Sequence, residues 1–114
     1  MTNVVNIHHT QEFDVYIGRG SMWGNPFTHF KLSNTKAQYE CTSREEALES
    51  YRNWLWEQVQ LYRDCPFTEP NDITVEKLAE LHGKTLGCFC KPQDCHGDIL
   101  VRAAAWAVEQ LAAT

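Results

Sequence analysis

The 114-residue chain reads as a small α/β domain. Its expected core is a mostly parallel sheet of three to four strands with about three helices, in two or three layers. Three observations carry that expectation. Short β-branched or alternating segments and longer segments of helical period follow one another in the order β, β, α, α, β, α. The strand segments at Phe13–Ile17 and Thr85–Cys90 are joined through helices, which makes them parallel with a right-handed crossover. No repeat, linker or change of composition divides the chain, and its length suits one domain.

Val4-Val5-Asn6-Ile7 is short and β-branched and reads as a strand at or beside a sheet edge. A polar connection, His8 to Glu12, leads to the alternating strand Phe13-Asp14-Val15-Tyr16-Ile17. Gly18-Arg19-Gly20 ends it in a turn where unusual backbone angles are expected. Residues Ser21 to Thr42 show no regular period, yet Trp23, Phe27 and Phe30 give the segment anchors that a disordered stretch lacks. Ser43-Arg44-Glu45-Glu46 has the form of a capping box and opens a helix to about Arg63. Ala47, Leu48, Tyr51, Trp54, Leu55, Val59 and Tyr62 make its apolar stripe. Cys65-Pro66 and Glu69-Pro70 stop it. Val75 to His82 is a short helix with Gly83 as its stop. Lys84 to Cys90 is the third strand. Asp94 is the expected N-cap of a last helix, Cys95 to about Ala112, whose inner face carries Ile99, Leu100, Ala103, Trp106, Ala107 and Leu111.

The formal net charge is -5 and the pI about 5.4. Without an excess of Lys or Arg to replace counterions, non-specific binding to nucleic acid is not expected. A pocket for a small anion needs only one or two local cations. No apolar run approaches the ~20 residues of a membrane span, so no membrane partner is expected. The first residues carry no basic-then-apolar signal, so the expected location is cytoplasmic, with the five cysteines as thiols.

Chemistry concentrates between Cys88 and Asp98. A helix beginning at Cys95-His96-Gly97-Asp98 offers free amides and a positive dipole end to an anion, and favours a thiolate. Gly97 would let a ligand approach the backbone. His96 could act as acid, base or donor, and Asp98 could orient it or a ligand hydroxyl. The plain structural alternative is that Asp94 and Asp98 steady a helix start while Cys95 packs. Cys88, Cys90, Cys95 and His96 also invite a zinc reading. The spacing Cys-x-Cys-x4-Cys-His differs from paired Cys-x2-4-Cys ligands, and Cys88 on a central strand reads as a buried small hydrophobe.

In open α/β sheets ligands bind beyond the carboxyl ends of the strands. The turn at Gly18 and Arg19 and the stretch from Cys90 and Lys91 to His96 are both expected at that edge. The Arg19 guanidinium would grip a phosphate or carboxylate there. Trp23, Asn25 and Phe27 would supply an aromatic wall and an amide for a base or ribose; as structural residues they would instead plug the sheet. Trp56 falls off its helix's apolar stripe, as in a contact with a second copy, which leaves a homodimer open without fixing the oligomeric state.

Tyr16-Ile17-Gly18-Arg19, Trp23-Gly24-Asn25-Pro26-Phe27, Ser43-Arg44-Glu45-Glu46-Ala47, Leu81 to Pro92 and Cys95-His96-Gly97-Asp98 together resemble a family of bacteria and their phages, domain of unknown function 4326. The resemblance runs from Asn3 to Ala107. Phe89 stands where the family commonly has Trp. It implies a bacterial or phage cytoplasmic setting, without an established activity. It adds weight to Arg19, Asn25, Cys90, Cys95, His96 and Asp98 as one shared site.

The leading functional expectation is a pocket at the carboxyl edge of the sheet for a small anionic metabolite, a nucleotide or nucleotide-derived signal above all. A phage protein of this kind could sequester a signal made by host defences. The second is an enzyme that cleaves or transfers a glycosidic or phosphoester bond with Cys95, His96 and Asp98. The third is a small zinc-binding interaction module.

Overall fold

The computed structural model describes residues 2–8, 12–18, 21–28, 39–40, 43–63, 65, 67–70, 72–88 and 95–113. Its main sheet has three parallel strands, β1 (Asn3–Asn6), β2 (Val15–Tyr16) and β5 (Thr85–Cys88), in the order β1-β5-β2. Asn3 to Asn6 pair in register with Thr85 to Cys88, and Val15 and Tyr16 with Leu86 and Gly87. The strand from the C-terminal half thus lies between two from the first residues, as a parallel sheet with helical connections allows.

β5 is central and is buried along Leu86, Gly87 and Cys88. Side chains two apart share a face. Leu86 and Cys88 therefore point to one side, where they join Ile17, Tyr51, Leu55, Val59, Leu78, Leu100, Ala104 and Ala107 in the core. Gly87 points to the other. A Cβ there would lie 2.7 Å from a methyl of Ile7 and 2.9 Å from the Phe13 ring, so those two side chains close down over the missing side chain.

α1 (Arg44–Tyr62) starts where its capping sequence places it: the Ser43 hydroxyl accepts from the Glu46 amide at 3.1 Å. Ala47, Tyr51, Leu55 and Val59, the i, i+4 row of its stripe, are buried. Ser43→Ala is expected to cost about 1 kcal/mol, read from urea unfolding, because it strands one first-turn amide. α2 (Val75–Glu80) is capped by Thr74 and ends before Gly83, which takes φ +83 as a glycine stop does. Lys77 of α2 ties down the preceding turn: its ammonium donates to the carbonyls of Glu69, Pro70 and Asp72 at 2.9, 2.7 and 2.8 Å. α3 (His96–Ala112) completes the fold.

Three expectations change. A second, two-stranded parallel pair, β3 (Phe27–Thr28) with β4 (Tyr39–Glu40), lies in the segment that shows no period. Strands of two residues are too short to carry a period. Gly18 does not take a positive φ; it is glycine because a Cβ would strike the folded-back Tyr16 ring. The N-cap of α3 is Cys95 and not Asp94: Cys95 is extended (φ -145, ψ 154) and the helix begins one residue later than expected. Asp94 itself lies outside the described residues.

Candidate functional site

The carboxyl end of β2 and the start of α3 meet. Ile17 extends the pairing of β2 by donating its amide to the Gly87 carbonyl at 2.9 Å. The Ile17 carbonyl in turn accepts from His96 Nε2 at 2.6 Å, inside the protein. A carbonyl can only accept, so Nε2 carries a proton. Nδ1 lies 3.8 Å from Cys95 Sγ.

Cys95 Sγ accepts from the Gly97 amide at 3.2 Å, and the Asp98 carboxylate accepts from the Cys95 amide at 3.2 Å. This is a capping box with a thiol in the place of a hydroxyl. The Cys88 sulfur is 3.1 Å from that of Cys95. Tyr51 packs edge-on against the His96 ring with centroids 5.2 Å apart. Burial holds the Tyr51 hydroxyl well above the ordinary tyrosine value of 10.0, and Cys95 nearby pushes it the same way. It stays protonated and donates to the Trp23 carbonyl at 2.8 Å.

Trp23 is 5% and Asn25 8% exposed. Asn25 donates to the Ala47 carbonyl of α1 at 3.4 Å. Both residues therefore anchor their loop to α1. Gly18 is also buried, with its carbonyl accepting from the Ser21 amide and hydroxyl. Gly97 is buried too: a Cβ on it would stand 2.8 Å from a Val4 methyl and 2.9 Å from Ile17 Cδ1. The close approach that Gly97 permits is thus of helix to sheet. Gly97→Ala is expected to lower stability by about 1–2 kcal/mol in thermal unfolding, since overpacking outweighs the gain in helix propensity.

Asp98 and Cys95, the latter only 2% exposed, line an open cleft of about 740 Å³ between β1, α1 and α3. Thr2, Asn3 and Val4 form one wall, Leu48, Glu49 and Arg52 a second, and Ile99, Val101 and Arg102 complete the third. Arg52, Ile99 and Arg102 also border an adjoining groove of about 400 Å³ whose sides include Trp56 and Trp106. These two rings are edge-to-face with centroids 5.2 Å apart, and Trp56 is 50% exposed. Arg52 makes one long ion pair with Glu49, 4.0 Å, with both side chains mostly in solvent. Such a pair is weak and leaves the guanidinium available.

Of the residues expected at the site, Cys95 and Asp98 therefore reach the cleft, while Gly18, Trp23, Asn25, His96 and Gly97 support it from within. Arg19, Cys90 and Lys91 lie outside the described residues, as does the side chain of Phe27. Among the described residues no three His, Cys, Asp or Glu side chains are placed to hold a metal. Sequence reading missed Arg52 and Arg102. A visible signal existed for one of them, since Arg102 follows Asp98 by four residues and so shares its helix face.

Residues 5–106 match the family described as domain of unknown function DUF4326. The chain is also similar to an uncharacterized 12.4 kDa protein of the nrdA-td intergenic region of Enterobacteria phage T4. The two are 33% identical over 100 residues, which is 88% of this chain and 74% of the phage protein. No solved structure matches. None of the described helices is long and apolar enough to cross a membrane.

Proposed function

The chain belongs to the DUF4326 family, and on that premise we propose that it binds a small anionic metabolite, a nucleotide or nucleotide-derived signal, in the cleft between β1, α1 and α3. The observation that carries this reading is the pair Arg52 and Arg102, on two helices, bordering both the cleft and the tryptophan-sided groove. Phosphate oxygens suit the two guanidinium forks, and a base suits the groove of Trp56 and Trp106. At the far end Cys95 and Asp98 present the start of α3, where negative charge is favoured. The sequence placed the pocket at the carboxyl edge of the sheet, whereas this cleft takes in Thr2, Asn3 and Val4 at the start of β1; at the carboxyl edge itself Arg19 and Lys91 are further proposed cations and Cys90 a further proposed contact. The more specific proposal, prompted by the similarity to an uncharacterized phage protein, is that the ligand is a signal sequestered from host defences.

Titration calorimetry of the purified protein against mononucleotides, dinucleotides and cyclic nucleotides tests the reading. Saturable one-site binding that weakens with added salt is the expected result. A folded protein that gives no heat with any of them would sink it. A second copy seated over Trp56 is the competing use of the groove, and sedimentation velocity separates the two: a dimer that dissociates on adding nucleotide would show both uses.

One observation favours an enzyme acting on the same ligand. His96 Nδ1 lies 3.8 Å from Cys95 Sγ, and the Ile17 carbonyl orients that ring through Nε2. Nucleophile, base and orienting group stand in sequence. Under that reading Cys95→Ser keeps binding and abolishes turnover. A pure binder instead returns its ligand intact after denaturation.

A further inference from the structure

We propose that Cys88 and Cys95 are a redox pair, in which Cys95 reacts with a hydroperoxide and Cys88 closes the product to an intramolecular disulfide. The two sulfurs are 3.1 Å apart, so neither residue needs to travel to meet the other. The pair joins the last residue of β5 to the cap of α3. Both side chains are buried, Cys88 completely and Cys95 to 2% exposure. Of the two, Cys95 is the one among the residues that line the cleft, and a small oxidant would come to it from there. The Gly97 amide points at Cys95 Sγ from 3.2 Å, as a helix start does toward a thiolate. His96 Nδ1, 3.8 Å from Cys95 Sγ, is the group that would take the thiol proton when the thiolate forms. Cys65 offers a control within the same molecule: it is exposed, and its thiol donates to the Phe67 carbonyl at 3.1 Å.

The chemistry balances. Cys95 gives its proton to His96 and its thiolate attacks one oxygen of hydrogen peroxide. An S–O bond forms, the O–O bond breaks, and the departing hydroxide takes the imidazolium proton as water. Cys88 sulfur then attacks the Cys95 sulfenic acid. The S–S bond forms, the S–O bond breaks, and the hydroxyl leaves with the Cys88 proton as a second water. Two thiols and one peroxide become one disulfide and two waters. Reduction by a small thiol restores the pair, so the state is transient in a reducing cytoplasm.

The test treats the folded wild-type chain with equimolar hydrogen peroxide, alkylates it in denaturant, and maps the peptides by mass. The expected product is a peptide pair linked through Cys88 and Cys95, lighter by two hydrogens and split by reductant. Cys65 should stay alkylatable, with Cys95 oxidising at least about tenfold faster. In Cys88→Ser the expected product is a Cys95 sulfenic acid trapped by dimedone. The wild-type map decides the matter even where that variant fails to fold. Recovery of Cys95 as an alkylated thiol after Cys65 has been oxidised, or a disulfide from Cys95 to Cys90, would overturn the proposal.

Discussion

Tyr51→Ala is expected to destabilise the protein by about 3–5 kcal/mol, a large share of the roughly 5–15 kcal/mol available to a domain. Among the described residues Tyr51 is the largest fully buried side chain. Its ring packs against His96 and Trp54, and its hydroxyl holds the Trp23 carbonyl. One residue of α1 thus fixes both the loop after β2 and the histidine at the start of α3. Tyr51→Phe separates the two contributions. It keeps the ring but strands a buried carbonyl, at an expected cost of about 1–3 kcal/mol. Both figures are read from urea unfolding. The pH dependence adds a sign. The folded state holds the Tyr51 proton above the ordinary value of 10.0, while the unfolded chain releases it there. Stability from this group is fully present below that pH and is lost as pH rises past it. The wild type should therefore lose stability with alkali more steeply than Tyr51→Phe. Equal slopes would mean that Tyr51 is not buried as described.

The double variant Arg52→Gln, Arg102→Gln is expected to weaken binding of the tightest nucleotide by roughly a hundredfold or more. A hydrogen bond to a charged group contributes about 1.5–3 kcal/mol, and about 1.4 kcal/mol is a factor of ten. The two arginines lie on different helices and border the same cleft, so each single variant should lose part of the effect. Both side chains are exposed, and the double variant should unfold within about 0.5 kcal/mol of the wild type. Calorimetry and urea unfolding of the same preparations check the two halves. Weaker binding with unchanged stability assigns the arginines to the ligand. Unchanged binding would move the site away from this cleft.

Much of the architecture was legible because it depends on local patterns. The row Ala47, Tyr51, Leu55, Val59 repeats every four residues, and Ser43 stands three before Glu46, so α1 could be placed to within a residue of its end. The parallel order of β2 and β5 followed from their helical connection. The β3–β4 pair escaped because two residues a side leave no period to read. Cys95 escaped as a cap because a thiol takes a role usually given to a hydroxyl, although Asp98 three residues on was the available sign.

The candidate site divides along the same line. The sequence by itself determined that reactive groups crowd into the turn from β5 to α3 and that the end of β2 would lie beside them. Both follow from chain order and strand direction. Only the tertiary structure decided which groups face solvent. Gly97 and Trp23 look like ligand contacts in one dimension, and become packing residues once Val4, Ile17 and Tyr51 press on them. Arg52 and Arg102 lie fifty residues apart in the chain and become neighbours of one cleft because α1 and α3 flank it. Spacing along a chain reports which side chains share an element; which elements share a surface is set by burial of their apolar faces.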